Sequence, residues 1–210
     1  MTKENRDSQE RRLWEQMKSG DERSLSEIFT IFYSDLYQYG VRVINLPDLV
    51  KDSIQDVFLR LWERRQTIGE VRSPRAYLIS SLRRRLLTNK VHLFKDVSAS
   101  DLKREEYERF CFDISEFMEV EEISGSLRKV LINAVNGLPE RQRELIFLRF
   151  YYNLHYLEIA PILDVNEQTV RNLMQRAMIR LRSQVDRRLW EDVDHLDDLL
   201  LILFSFCWQK

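Results

Sequence analysis

Turn-forming residues are scarce in this chain, with 5 glycines and 4 prolines among 210 residues. An all-β protein with many hairpins needs more of both, so the scarcity predicts long helices. No glycine-rich phosphate loop is present, which argues against the nucleotide-binding loop folds. The 2 cysteines, Cys111 and Cys207, cannot build a disulfide framework and have no zinc spacing. They fit a reduced setting as ordinary thiols. The 3 histidines, His92, His155 and His195, lack metal-ligand spacing, so neither a metal nor a cofactor is expected. No nucleophile has a visible base partner, and no enzymatic activity is expected. The strongest apolar run, Leu199 to Phe206, is too short for a membrane span of about 20 residues. The first residues, MTKENRDSQERR, are polar and unlike a signal peptide, so a cytoplasmic location is expected.

What the chain has in abundance is charge. Charged residues make up 32% of it and hydrophobic residues 44%, enough for a core. The 33 basic and 34 acidic side chains nearly cancel, to a net charge of -1, but they are segregated. From Val71 to Val91 the chain carries Arg72, Arg75, Arg83, Arg84, Arg85 and Lys90 and no acid. From Asp96 to Glu122 acids dominate, opposed only by Lys103, Arg104 and Arg109. From Leu127 to Arg182 the chain is basic again. The simplest parse is two basic modules, residues 10–92 and 126–186, an acidic linker over 93–125 and an apolar tail over 187–210.

The first module reads as helices. Ser24-Leu25-Ser26-Glu27 has the form of a capping box before Ile28, Phe29, Ile31 and Phe32. Asn45-Leu46-Pro47-Asp48 breaks that pattern, and Asp48 is placed to cap a helix with Val50, Ile54, Val57, Phe58, Leu61 and Trp62 on one buried face. Asp52, Gln55 and Asp56 fall outside that stripe, as a solvated face or a docking face for a charged partner. A loop over Arg65 to Arg72 follows, then a helix opened by Ser73-Pro74. The basic residues after Pro74 flank Tyr77, a combination suited to single-stranded nucleic acid, with bases stacked and phosphates paired. An Arg-rich solvated helix with Tyr77 in the core is the plainer alternative. Arg83, Arg84 and Arg85 are consecutive and fan around the helix, so they cannot all face one ligand.

The second module carries the sharper signal. Asn136-Gly137 ends one helix and Pro139 opens the next. Tyr156 to Leu163 and Glu167 to about Arg182 read as two helices joined by Asp164-Val165-Asn166, a helix-turn-helix with Asn166 as cap. Ile159, Ala160, Leu163, Val165, Val170 and Leu173 are the apolar positions that would lock the crossing. Gln168, Thr169, Arg171, Asn172, Gln175 and Arg176 are left for an open face able to meet base edges and phosphates in a major groove. Glu167 suits the helix dipole but would repel a phosphate, so it should face a base or sit off the backbone. In the tail, Leu196, Leu199, Leu200, Leu203, Phe204 and Cys207 recur at helical spacing, for packing onto the second module, docking a partner or lying on a membrane. The neighbouring Asp192, Asp194, Asp197 and Asp198 disfavour an anionic lipid surface.

These residues together resemble a known family. Asp52-x-x-Gln55-Asp56-x-Phe58-Leu59-Arg60-Leu61-Trp62, followed by Arg75-Ala76-Tyr77-Leu78, is similar to the second conserved region of sigma factors. Leu138-Pro139-Glu140-Arg141-Gln142-Arg143-Glu144, then Leu157-Glu158-Ile159-Ala160 and Thr169-Val170-Arg171-Asn172, is similar to their fourth region. Two such regions with a short connector resemble the extracytoplasmic-function (ECF) group of the sigma-70 superfamily. Two positions depart from many relatives, with Arg84 where Asn is frequent and Thr88 where Asp is frequent. Asp164 stands where the turn often has Gly, and Asp tolerates the left-handed conformation better than most residues.

The resemblance implies an all-α protein of two small helical domains, the second with a helix-turn-helix. It implies a transcription initiation factor whose partners are core RNA polymerase, promoter DNA and a membrane-linked anti-sigma factor, with no small-molecule substrate. Asp52, Gln55, Asp56 and Arg60 would dock on the clamp coiled coil of the largest polymerase subunit. Arg72, Arg75, Tyr77, Arg83 and Arg84 would capture the −10 element as it melts. Gln168, Thr169, Arg171, Asn172, Gln175 and Arg176 would read the −35 duplex. The acidic linker would run toward the RNA-exit channel. The rival reading is a stand-alone helix-turn-helix regulator with an N-terminal sensing or dimerisation module. A helical interaction module with no DNA role leaves the segregated basic charge unexplained.

Overall fold

The computed structural model describes residues 3–96 and 125–184, with side chains over residues 8–89 and 130–184. The acidic linker, the apolar tail, Cys111 and Cys207 lie outside the described residues. Among the described residues all regular structure is helical, as the low glycine and proline content predicts. The chain divides into two compact units, residues 1–109 and 110–210.

The first unit is built on α1 (Lys3–Lys18), α2 (Glu22–Val43), α3 (Pro47–Arg64) and α4 (Pro74–Asp96). Helix α2 packs against each of the other three, and α3 packs against α4. Its buried positions, Ile28, Phe32, Leu36, Tyr39 and Val43, recur every three or four residues, which lines up one face of a 3.6-residue helix. Against it lie Leu13, Trp14 and Met17 of α1, Val50, Ile54, Val57, Phe58 and Leu61 of α3, and Leu78, Ile79, Leu82 and Leu86 of α4. A Cβ at Gly40 would collide with the Val50 side chain, so this glycine permits the close approach of α2 and α3. Trp62, expected in the buried stripe, is only half-buried and lies under the Arg65 guanidinium, 4.0 Å from the ring centroid.

Two helix starts differ from their sequence reading. Ser24 does not open α2; Asp21 does, and its carboxylate accepts from the N–H groups of Arg23 and Ser24, both at 3.2 Å. Ser24 is instead buried inside the first turn, its hydroxyl donating to Asp21 Oδ2 at 2.6 Å. The preceding Gly20, at φ 102°, lets the chain reverse between α1 and α2. Asp48 does not cap α3 either: Leu46 holds the cap position, Pro47 begins the helix, and Asp48 pairs with Lys51 one turn on at 3.2 Å. Proline's fixed φ makes it a good first helical residue, and Asp48 then serves the helix dipole. The Ser73 cap of α4 is present, its Oγ accepting from Ala76 N–H at 3.3 Å.

The second unit contains α5 (Gly125–Asn136), α6 (Glu140–Ile146), a π-helical turn (Phe147–Tyr151), α7 (Tyr156–Leu163) and α8 (Glu167–Gln184). Pro139, expected at the first helical position of α6, sits one residue earlier as its cap. The π turn stacks Phe147 on Tyr151, centroids 4.5 Å apart, with Tyr152 edge-on to both. Helix α8 buries Val170, Met174, Ala177, Met178 and Leu181. Val165 and Leu173, expected to lock the crossing, are only half-buried, and Met174 takes the inward place beside Val170. Ile159, Ala160 and Leu163 are buried as expected.

Candidate nucleic-acid interface

The helix-turn-helix is fixed by local chemistry. Asp164 ends α7 in the left-handed conformation, φ 55° and ψ 51°, and its N–H bonds to Ala160 O. Val165 N–H reaches the same oxygen at 3.1 Å, so one carbonyl closes the turn. Asn166 then accepts from both the N–H and the hydroxyl of Thr169 at 2.8 Å, satisfying a donor that the helix start leaves open. These bonds set where α8 begins and therefore which side chains it exposes.

Gln168, Arg171, Asn172, Gln175 and Arg176 are all exposed on α8. Residues 168, 172, 175 and 176 are spaced for one face. Gln168 Nε2 donates to Asn172 Oδ1 at 3.2 Å, which holds both amides in register. Thr169 differs from its sequence reading: it is half-buried and its hydroxyl is committed to the Asn166 cap. Glu167 is paired with Arg171 one turn on. The expected clash between Glu167 and a phosphate is therefore offset inside the helix itself. Arg171 also lies 5.1 Å from the centroid of Tyr156, and Arg149 lies 5.6 Å from it. Arg149 is in turn anchored by donation to Leu154 O at 3.1 Å. This Tyr156 platform, with a cation from the π turn and another from α8, was not legible in the sequence, because Arg149, Tyr156 and Arg171 belong to three different segments.

In the first unit the sequence-predicted residues separate into two groups. Arg75, expected to reach DNA, is instead a structural residue, with only 7% of its surface exposed. Its guanidinium is held by Glu10 of α1 at 3.1 Å and by Asp35 of α2, and lies 5.3 Å from the Phe32 centroid. Arg83 is half-buried and engaged with other residues. Arg72 is exposed in the loop after α3. Tyr77 is half-buried, edge-on to Trp14 at 5.3 Å.

A cleft of about 340 Å³ runs between α3 and α4. Val57 and Leu61 form its apolar floor; Arg60 and Arg64 come from α3, and Tyr77, Ser81, Arg84, Arg85 and Thr88 from α4. Arg84 and Tyr77, both predicted for nucleic acid, therefore meet Arg60, which was predicted for a protein partner. Arg64 and Arg85 are not legible as site residues, since the sequence shows their charge but not that the two helices bring them together.

Asp52 and Gln55 are exposed on α3 as expected. Asp56 is not a free carboxylate, because Arg85 of α4 donates to it. Between these polar positions Leu59 is 62% exposed. A single exposed apolar side chain is ordinary on a protein surface, so Leu59 bears on docking only through its place beside Asp52 and Gln55. Its signal in the sequence is that it falls outside the buried spacing of α3.

Comparison with known proteins bears on both units. Residues 28–90 match the family described as Sigma-70 region 2, and residues 128–181 match Sigma-70, region 4. The chain is 25% identical over 170 residues to an ECF RNA polymerase sigma factor, SigK, of Mycobacterium ulcerans, covering 78% of this chain and 89% of that protein. The SigK of Mycobacterium bovis is 23% identical over 168 residues, covering 79% and 88%. Among solved structures, the fold is similar to the sigma factor RpoE in complex with the anti-sigma factor NepR from Bartonella quintana. The TM-score is 0.55 at 19% identity, over 81% of this chain and 98% of that one. It is also similar to CnrH in complex with the cytosolic domain of CnrY, with a TM-score of 0.54 at 19% identity, over 89% and 99%.

Proposed function

Because the chain belongs to the sigma-70 family, with region 2 in its first unit, region 4 in its second and the layout of the extracytoplasmic-function members, we propose the following division of labour. The protein is a transcription initiation factor that binds core RNA polymerase and directs it to specific promoters. The α8 helix lies in the major groove of the −35 element. Gln168, Asn172 and Gln175 meet base edges, while Arg171 and Arg176 meet phosphates or guanine edges. The observation that carries this reading is the exposed stripe of α8, presented by a turn that short-range bonds to Ala160 of α7 and Thr169 of α8 hold in place.

The first unit supplies the other two contacts. Asp52, Gln55 and Leu59 on α3 form the face that docks on core polymerase, with an apolar anchor between polar groups. Arg72, Tyr77 and Arg84 are placed for the −10 strand as it opens, since stacking and cations together suit unpaired bases. Arg75 is withdrawn from that set because its charge is already matched inside the unit. The two structural relatives are complexes with NepR and with CnrY. By analogy a membrane-linked anti-sigma factor covers these faces when transcription is off. No helix among the described residues is long and apolar enough to cross a membrane, and we place the factor in the cytoplasm.

Arg176→Ala tests the −35 assignment. Arg176 is exposed and carries no ion pair among the described residues, so its loss should leave the thermal melt in place. Promoter binding by the polymerase complex should weaken by roughly tenfold, within the range of a single base-edge contact. Unchanged affinity at matched salt removes Arg176 from the interface. Tight, sequence-specific duplex binding by the protein alone would instead favour a stand-alone helix-turn-helix regulator.

A further inference from the structure

The α3–α4 cleft concentrates positive charge. Arg60, Arg64, Arg84 and Arg85 all line it, and no acid is among the lining residues. Arg85 is matched by Asp56. Arg60, Arg64 and Arg84 have no ion pair or side-chain hydrogen bond among the described residues, and all three are exposed. Arg60 and Arg64 also stand one turn apart on α3, a like-charge spacing that destabilises a helix. Cations gathered at such a cost, over an apolar floor, focus the field on an anion.

The shape narrows the ligand. The cleft of about 340 Å³ lies within the size range of small-molecule sites. Tyr77 lines it, with its ring braced by Trp14, and can take a planar ring by stacking. Ser81 and Thr88 add hydroxyls. A DNA strand brings one phosphate charge per nucleotide. The phosphate chain of a free nucleotide brings several charges into a single cleft lined by several arginines, and each can be met by charge-assisted bonds. We propose that this cleft binds a free nucleoside di- or triphosphate, its phosphates on Arg60, Arg64 and Arg84 and its base against Tyr77. Because Tyr77 and Arg84 are also assigned to the −10 strand, a bound nucleotide competes with strand capture. That consequence rests on the proposed function; the binding itself does not.

The test uses full-length protein without polymerase or DNA, titrated by calorimetry at about 0.1 M salt with AMP, ADP, ATP and inorganic triphosphate. Affinity should rise from AMP to ADP to ATP, and ATP should bind more tightly than inorganic triphosphate because only ATP carries a base. Arg60→Gln and Arg84→Gln should each weaken ATP binding roughly fivefold, the upper end for an exposed ion pair. Arg12→Gln, an exposed arginine on α1, should not change it. A flat phosphate series, no detectable ATP binding, or equal loss in Arg12→Gln overturns the proposal. So does a single-stranded oligonucleotide whose binding depends on Arg60 and Arg84 while ATP binding does not, which assigns the cleft to the promoter strand. Transcription with core polymerase is scored separately, so failure of the cleft and failure of the sigma reading remain distinct.

Discussion

Arg85 on α4 clamps Asp56 on α3: its Nε donates to Asp56 Oδ2 at 2.9 Å, and Nη2 donates to the same oxygen. The pair joins the helix assigned to polymerase docking to the helix assigned to the −10 strand. It also explains why Asp56 is less available to a partner than Asp52 or Gln55. Both side chains are about a third exposed, 28% for Arg85 and 37% for Asp56, so solvent screens the attraction. Asp56→Ala, Arg85→Ala and the double variant should therefore close a cycle with a coupling of under about 1 kcal/mol in urea melts. A coupling well above that means the pair is a structural tie rather than an adjustable contact.

Arg75 is the opposite case. It is buried between α1 and α2 with both of its acids in place, and removing one partner leaves uncompensated buried charge. Arg75→Ala should cost about 3–5 kcal/mol in denaturant unfolding. Under conditions where the variant remains folded, its affinity for a −10 oligonucleotide should match that of the parent. A stable variant with lost strand binding would return Arg75 to the interface.

How much of this was visible in the sequence depends on how far apart the partners lie. The turn of the helix-turn-helix was legible because Asp164, Asn166 and Thr169 act on their immediate neighbours. The apolar stripes of α2 and α3 were legible because a helix repeats them. Arg75 reads as DNA-facing because Glu10 lies 65 positions away and Asp35 lies 40 away, and in the sequence it is only one more cation in a basic run. The cleft was invisible for the same reason, since Arg60 and Arg84 come from different helices. The start of α2 was misread over a shorter distance: Ser24 and Glu27 match a capping box, but Asp21 three residues earlier also fits a cap and wins, with Gly20 permitting the reversal before it.

The Asp21 cap makes an acid-range prediction. Its hydrogen bond from Ser24 is the main influence holding the carboxyl below the usual range, with the Arg23 and Ser24 N–H groups acting in the same direction. A carboxyl lowered on folding stabilises the folded state above its unfolded pKa, about 3.9, and loses that contribution as pH falls through the lowered folded value. Asp21→Asn should therefore flatten the acid limb of the stability profile while leaving its shape above about pH 5 unchanged. An acid limb identical to the parent's means Asp21 is not protonated differently in the two states.

Asn166 sets the start of α8 and hence the register of the reading stripe. Asn166→Ala removes the acceptor for Thr169 and should cost about 1 kcal/mol in thermal or urea unfolding. Asn166→Asp keeps the acceptor and should restore most of that stability. Equal loss in both variants argues that the Asn166 side chain does not cap the helix.

Promoter choice is what this chain brings to polymerase. The most direct measurement adds purified protein to core RNA polymerase and transcribes fragmented genomic DNA from the source organism. Discrete new transcripts sharing two upstream elements are expected, one of which loses its effect when Arg176 is changed to Ala. No transcripts, together with no comigration of the protein with core polymerase on a sizing column, would contradict that role.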